Sequence, residues 1–482
     1  MTARRTILAL LILGGAVVGL YAAHPWDRDG DGAWTVLTDR PDCDDGDAGR
    51  HPGAAEIPLN RVDEDCSGRD SAAGSNVVLI TLDSLRGRNL GSYGYFRDTS
   101  PNIDRLAGEG VRFTRAYAPS SWTLPSLASL LTSLYPRQHG VGLEVGAGIG
   151  GDLPLLTEIL KRNGYATAMF KTAAFPLFDL GFGRGFDLQS RPADPQEARA
   201  WMRARSGGKF FLWIHFFRPH VPYHPLGRFD RLFIEESVKD HLHLSEPWTD
   251  QTCRDMFLDH TEDEERIRMA FYDEIIAQED ANVGEIIDEV EALGLEDRTL
   301  VIVSSDHGEE FWEHSGCDHG RTLYEEVVHV PLIIKHPGVL APGVTRRLAS
   351  LIDVAPTVLD LLGLEPDPRM EGASLLSRPD GERAAPLVYF DVYGANANLI
   401  AVRDERYKFI FEAGTRKEEL YDLVEDPGEQ RNLLEADDSL GNPYRQDLLA
   451  WFERTGKPLA KPRKVEFDAE TRERLKYLGY IE

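Results

Sequence analysis

The chain has 482 residues, with 53 Lys plus Arg against 80 Asp plus Glu and a formal charge of −27. That acidic balance excludes a duplex-binding protein, which needs a basic face for phosphates, so no nucleic-acid partner is expected. The 42% of hydrophobic residues excludes wholesale disorder, and four Cys are too few for a disulfide-scaffolded fold.

Arg4 and Arg5 precede an uncharged run over residues 6–23 that is rich in Leu, Ile, Val and Gly. A positive flank followed by about 18 apolar residues is an export signal, at the border between signal peptide and membrane span. Tyr21-Ala22-Ala23 places Tyr where a cleavage site needs a small residue. The expectation is therefore an exported protein of the bacterial periplasm or cell surface. Segment 1–23 anchors it in the membrane, and it is secreted if that segment is cleaved.

Residues 24–70 hold 13 acids and 5 bases. Asp27, Asp29 and Asp31 alternate before Gly32, as at the opening of an EF-hand-type loop, where alternating carboxylates converge on a hard cation. Thr38 stands at the twelfth position in place of Glu, so the loop is not a complete EF-hand. On composition alone a solvated acidic linker is the alternative. The stretch resembles the Asp-rich, two-Cys metal-binding motif of many secreted bacterial proteins. That resemblance implies a structural Ca²⁺ site at Asp27, Asp29 and Asp31, and a disulfide between Cys43 and Cys66.

From residue 76 the pattern changes. The runs 76–82, 299–305 and 210–217 are short, apolar and β-branched or aromatic, as buried parallel strands are. The first ends at Asp83 and the second at Asp306-His307; the third carries His215 and leads to His220. Spacings of three and four predict helices over 154–163 and 267–293, and a further helix is expected over 125–134 with Thr123 as its N-cap. Polar residues at the C-terminal ends of such strands mark the site of an open α/β sheet.

The segments 76–95, 99–113, 121–141, 210–223, 304–334, 351–363 and 419–434 together resemble the sulfatases of the alkaline phosphatase superfamily. The resemblance implies an α/β fold with a central mixed, mostly parallel sheet flanked by helices, alkaline phosphatase-like, and a smaller C-terminal α+β subdomain. It divides the chain into a catalytic domain over 76–375 and a C-terminal part over 385–482. It also implies a metal-dependent hydrolase of sulfate, phosphate or phosphonate esters, acting on a small-molecule, glycan or lipid substrate.

Family position makes Asp83, Thr123, Asp306 and His307 the metal ligands. A His among carboxylates favours Zn²⁺ or Mn²⁺ over the all-oxygen Ca²⁺ site. Formylglycine sulfatases carry Cys or Ser in a Cys/Ser-x-Pro-x-Arg context; here the segment reads Thr123-Leu124-Pro125-Ser126-Leu127. Thr cannot become formylglycine, but a metal-activated hydroxyl can attack directly, which favours phosphorus esters. His220 and His319 match family positions at the leaving group, and either one could protonate it. Arg86 and His215 are expected to contact substrate, His314 ranks below them, and Lys171 is given no role. Two rivals stand beside this reading: a phosphoethanolamine-type transferase acting on an envelope lipid or glycan, and a non-catalytic surface protein.

Overall fold

The computed structural model describes residues 43–44, 46–52, 54, 57, 62–66 and 71–473, except 143–145, 172–175, 191, 224–225, 235–260, 377–398, 456–457 and 470. The expected anchor at 1–23 and the Ca²⁺ ligands Asp27, Asp29 and Asp31 lie outside the described residues. Among the described residues, no helix is long and apolar enough to cross a membrane. The chain forms two compact units, residues 1–73 and 74–482.

In the first unit Cys43 and Cys66 are joined as a disulfide, with their Cα atoms 5.5 Å apart. Two of its described acids meet local donors. Arg50 pairs with Asp44 at 2.7 Å, and the largely buried Glu64 accepts from the Ile57 N–H at 3.0 Å.

In the second unit eight strands make one sheet. They are β1 (Asn76–Asp83), β2 (Val111–Tyr117), β3 (Ala166–Lys171), β4 (Leu188–Ser190), β5 (Phe210–Pro219), β6 (Thr299–Ser305), β7 (His329–Lys335) and β8 (Gly343–Ser350). Their order is β8-β2-β7-β6-β1-β5-β3-β4, and only β7 runs antiparallel to its neighbours. The expected mixed, mostly parallel sheet is what the chain forms. Every residue of β1 and β6 is buried, because helices cover both faces of a parallel sheet and leave no polar side. Asn76 ties the start of β1 to both neighbours, accepting from the Phe210 N–H at 3.1 Å and donating to Thr299 at 3.4 Å.

The helices that frame the site are α1 (Pro101–Glu109), α2 (Thr123–Thr132), α3 (Leu156–Arg162), α4 (Pro195–Arg203) and α5 (Glu262–Ala292). The last begins five residues before the apolar periodicity does. A capping box between Thr261 and Glu264 and four acids in the first turn start it, since acids favour a helix N-terminus. Its Ile267, Ile275 and Ile286 share one core with Val78, Ile80 and Leu82 of β1. A small antiparallel sheet follows, β9 (Leu399–Arg403), β10 (Tyr407–Glu412) and β11 (Glu418–Asp422). This is the smaller C-terminal α+β part that the resemblance implies.

The inner face of α5 also carries Glu279, which accepts from Asn282 at 2.9 Å. Burial pushes its carboxyl up to about 7, against 4.5 for a free group. The unfolded chain ionises first, so the cost to stability begins near pH 4.5, grows to pH 7 and then levels off. A Glu279→Gln variant should match the native melting temperature near pH 4.5. At pH 8 it should exceed it by about 3 °C, from roughly 3 kcal/mol. A difference that does not change with pH would refute this account of Glu279.

Candidate active site

Three strand ends deliver the site. β1 ends at Asp83, and Ser84 then takes the left-handed conformation (φ 64°), which turns the chain sharply over the sheet edge. β6 delivers Asp306 and His307, and β5 delivers His215 and, past its end, His220. Ser305 locks the first two ends together: its hydroxyl donates to the Leu82 carbonyl at 2.6 Å and accepts from the Leu85 N–H at 2.9 Å. At Gly308 a Cβ would lie 2.1 Å from the Glu326 carbonyl oxygen, so only Gly fits there.

Asp83 and Asp306 are fully buried. Asp306 Oδ1 accepts from the N–H groups of Ser84 (3.2 Å) and His307 (2.9 Å), and Asp83 Oδ1 accepts from the Ser84 hydroxyl at 3.1 Å. The second oxygen of each carboxylate has no hydrogen-bond partner among the described residues. Burial, then the facing Asp306 charge, pushes the Asp83 carboxyl well above its usual range; burial also raises Asp306. Two bare buried oxygens in one place call for a cation.

Two neutral imidazoles complete the donor set. His307 Nδ1 donates to the Gly308 carbonyl at 2.8 Å, which leaves Nε2 bare. That nitrogen stands 3.2 Å from Thr123 Oγ1, 3.4 Å from Asp83 Oδ1 and 3.7 Å from Asp306 Oδ2. His215, expected at the substrate, instead groups with Asp83 and Asp306, its Nε2 3.8 Å from Asp83 Oδ2. Its other nitrogen meets Thr81 Oγ1 at 2.9 Å. Burial lowers His307 well below its ordinary value and His215 to about 4, so both present lone pairs at neutral pH. Two carboxylates and two imidazoles fit a divalent transition ion, and the His pair disfavours Ca²⁺.

Thr123 is the first residue of α2, not its N-cap; that position belongs to Trp122, which makes no side-chain cap. The Thr123 hydroxyl is therefore free of capping and faces His307. Pro125 is tolerated because a first-turn N–H has no intrahelical partner to lose. Ser126 fixes the helix to the site by donating to the Asp306 carbonyl at 2.5 Å. Leu127, where formylglycine sulfatases carry Arg, is fully buried.

His220 and His319 are close, with ring centroids 4.8 Å apart, but differ in charge. Burial, then the positive charge on His319, lowers His220 to about 3. Its Nδ1 donates to the Val221 carbonyl at 2.7 Å, so its remaining nitrogen can only accept. Burial alone would lower His319 too. However, Asp318 Oδ1 at 2.8 Å and Glu309 Oε1 at 3.1 Å outweigh burial and hold it well above its ordinary value. Glu309 accepts in turn from Tyr223 at 3.0 Å.

The remaining expected residues have these settings. The Arg86 guanidinium is buried against Glu313 and over Phe311 (5.2 Å), and among the described residues it makes no ion pair with Asp83 or Asp306. His314 is held by Glu326 at 2.6 Å and stacks on Tyr324 at 3.6 Å, a structural setting. Lys171, given no role by the sequence, is fully buried at the end of β3, in register with His215. Glu309 and Asp318 were missed. The signal was a short hairpin: Glu310 pairs with Asp318 and Phe311 with Cys317, which places Glu309 beside His319.

The sulfatase family profile matches residues 75–194 and 195–364. The profile for the C-terminal part of N-sulphoglucosamine sulphohydrolase matches 313–446, and that of a metal-binding motif matches 42–71. The chain is 29% identical to arylsulfatase A of Bos taurus, over 78% of this chain and 86% of that one. It is 27% identical to choline-sulfatase of Rhizobium meliloti, over 75% and 82%. Among solved structures, the phosphonate monoester hydrolase of Agrobacterium radiobacter superposes with a TM-score of 0.65 at 24% identity, covering 79% of this chain and 96% of that one.

Proposed function

The chain belongs to the sulfatase family and is an ester hydrolase of it, and from that premise we propose that Thr123 is its unmodified nucleophile. The substrate is a sulfate, phosphate or phosphonate ester of a small molecule, glycan or lipid. The observation that carries this reading is the Thr123 hydroxyl, uncapped and buried, 3.2 Å from His307 Nε2, a nitrogen that itself lies 3.4 Å from Asp83 Oδ1 and 3.7 Å from Asp306 Oδ2. Asp83, His215, Asp306 and His307 would hold one divalent cation, Zn²⁺ or Mn²⁺ by donor type. When bound, that ion supplies Lewis acidity, making a nearby hydroxyl more acidic and neutralising charge on the transferred group.

In the first step Thr123 Oγ1 forms a bond to sulfur or phosphorus, and the bond to the leaving oxygen breaks. The hydroxyl proton passes to solvent, while His319 Nε2 gives its proton to the leaving oxygen. In the second step water attacks the same sulfur or phosphorus and returns a proton to His319. The bond to Thr123 then breaks, and its oxygen is reprotonated from solvent. His220, an acceptor only, suits the incoming water.

Residues 24–70 form a separate Ca²⁺-binding segment in this reading, ahead of a catalytic body over 76–375 and its C-terminal part over 385–482. The Cys43–Cys66 disulfide and the matched metal-binding motif support export, with segment 1–23 as signal or anchor. One experiment tests the whole reading: metal analysis joined to assays on sulfate, phosphate and phosphonate esters, for the full chain and for 74–482. Phosphorus esters should be turned over at least as well as sulfates, and the shorter chain should keep its turnover. Turnover of sulfates alone would count against a Thr nucleophile. A folded but inactive 74–482 would make the first unit part of the site.

A further inference from the structure

In the proposed first step His319 Nε2 gives up a proton, and its other ring nitrogen has two carboxylates close by. Asp318 Oδ1 stands 2.8 Å from His319 Nδ1 but is out of line for a hydrogen bond, and it has no hydrogen-bond partner among the described residues. Glu309 Oε1, at 3.1 Å, is the oxygen that accepts the Nδ1 proton. Direction therefore comes from Glu309, while Asp318 adds charge alone. A ring held at Nδ1 has only Nε2 left to offer a substrate.

Glu309 is held by backbone and side chain alike. Its N–H donates to the Glu326 carbonyl at 3.1 Å, and its Oε2 accepts from the Tyr223 hydroxyl at 3.0 Å. Rotation about the last bond of a Glu side chain is soft, so a carboxylate held at one oxygen still turns. A hydrogen bond to the second oxygen removes that freedom. Glu309 is fully buried and Tyr223 nearly so, which leaves no water to take over the task.

Tyr223 can anchor Glu309 because its own ring is clamped. It stacks on Phe311, with centroids 6.0 Å apart, and meets Tyr272 edge-on at 5.7 Å. The Arg268 guanidinium, from α5, lies 5.4 Å from the ring centre. Tyr272 in turn donates to the Ser84 carbonyl at 2.7 Å, in the turn that follows Asp83. His319 is thus registered, through Glu309 and Tyr223, to the strand end that carries Asp83.

We propose that Tyr223 is a positioning residue for proton transfer to the leaving group: by pinning Glu309 Oε2 it sets the plane of the carboxylate, and so aims His319 Nε2 at the leaving oxygen. The assignment rests on the reading of His319 as the acid. Tyr223 touches neither ester nor cation, and its hydroxyl keeps its proton throughout.

The test is a series of aryl esters, from 4-nitrophenyl to phenyl, of sulfate or phosphate, whichever the metal-loaded full chain cleaves faster. A 4-nitrophenolate leaves with little help from an acid, whereas a plain phenolate needs the proton. Tyr223→Phe keeps the ring and its stacking and loses the hydroxyl alone. Its kcat/KM should fall about 10- to 100-fold on the phenyl ester and stay within about twofold of native on the 4-nitrophenyl ester. Glu309→Gln should show the same bias, at least as large. The double variant should be no slower than Glu309→Gln, because Tyr223 acts through Glu309. An equal loss on every ester would make Tyr223 a structural residue only. No loss on any ester, or losses that multiply in the double variant, would equally overturn the assignment. His319→Gln separates the two readings. Without a leaving-group bias there, the acid of the proposed function falls and this proposal with it; a strong bias there beside none in Tyr223→Phe defeats only this proposal.

Discussion

Thr123→Ala should lose roughly 10³-fold or more of its turnover while folding as the native chain does. The size of the effect follows from chemistry: Ala offers no oxygen to the ester, so the two-step route closes and only direct attack by water remains. The intact fold follows from the surroundings. Thr123 does not cap α2, Ala is compatible with a first-turn position, and the hydroxyl that is lost faces His307. Thr123→Ser should keep part of the rate because the oxygen survives at the same helical position. It should not reach the native rate, since Ser lacks the methyl that limits the side chain to few rotamers. Rapid quenching followed by intact mass measurement should find a phosphate-sized adduct on the peptide that carries Thr123. Unchanged turnover by the Ala variant, or an adduct found only elsewhere, would point to water as the nucleophile.

The residues of this site differ in how far the sequence could announce them. Asp83 and Asp306 were legible because β1 and β6 are buried on both faces, and an apolar run that ends in Asp sets a carboxylate at the edge of the sheet. His307 follows from its neighbour. The role of His215 was harder to place. It lies in mid-strand, and which residues it meets depends on the register of β5 against β1, where it opposes Thr81. The sequence also left His220 and His319 as equivalent acids. What separates them is the hairpin that brings Asp318 and Glu309 to one ring, while the other donates to a backbone carbonyl. For Arg86 the spacing from Asp83 was legible but the partner was not: Nη2 pairs with Glu313, while Nε and Nη1 have no hydrogen-bond partner among the described residues. Single-residue position along α2 was out of reach as well, since Ser120, Ser121 and Thr123 are all good capping types, yet the cap position falls on Trp122, which has no acceptor to offer. The long helix α5 shows the same limit at its start, where polar residues joined by a capping box carry no periodicity.

Asp306→Asn should strip the metal and with it nearly all activity, yet leave a protein at least as stable as the native chain freed of metal. Asn is nearly the same shape as Asp. Its carbonyl oxygen can take the place of Oδ1 and accept from the Ser84 and His307 N–H groups. The change falls on the other oxygen, which is buried and has no hydrogen-bond partner among the described residues; there an amide presents protons to the cation. An amide nitrogen is no ligand for Zn²⁺ or Mn²⁺ under these conditions, and the site also loses one of its two negative charges. Without metal the sign reverses. Burial raises the Asp306 carboxyl above its ordinary value, so at neutral pH the fold disfavours its ionised form, and a neutral side chain removes that cost. Metal analysis of the purified variant should therefore show a near-empty transition-metal site. Thermal melts should show the variant insensitive to added Zn²⁺ or Mn²⁺, whereas the native chain gains stability as ligand binding to the folded state requires. Full occupancy in Asp306→Asn, or the same metal-dependent gain in melting temperature, would remove Asp306 from the coordination shell and leave its bare buried oxygen with no partner to justify it.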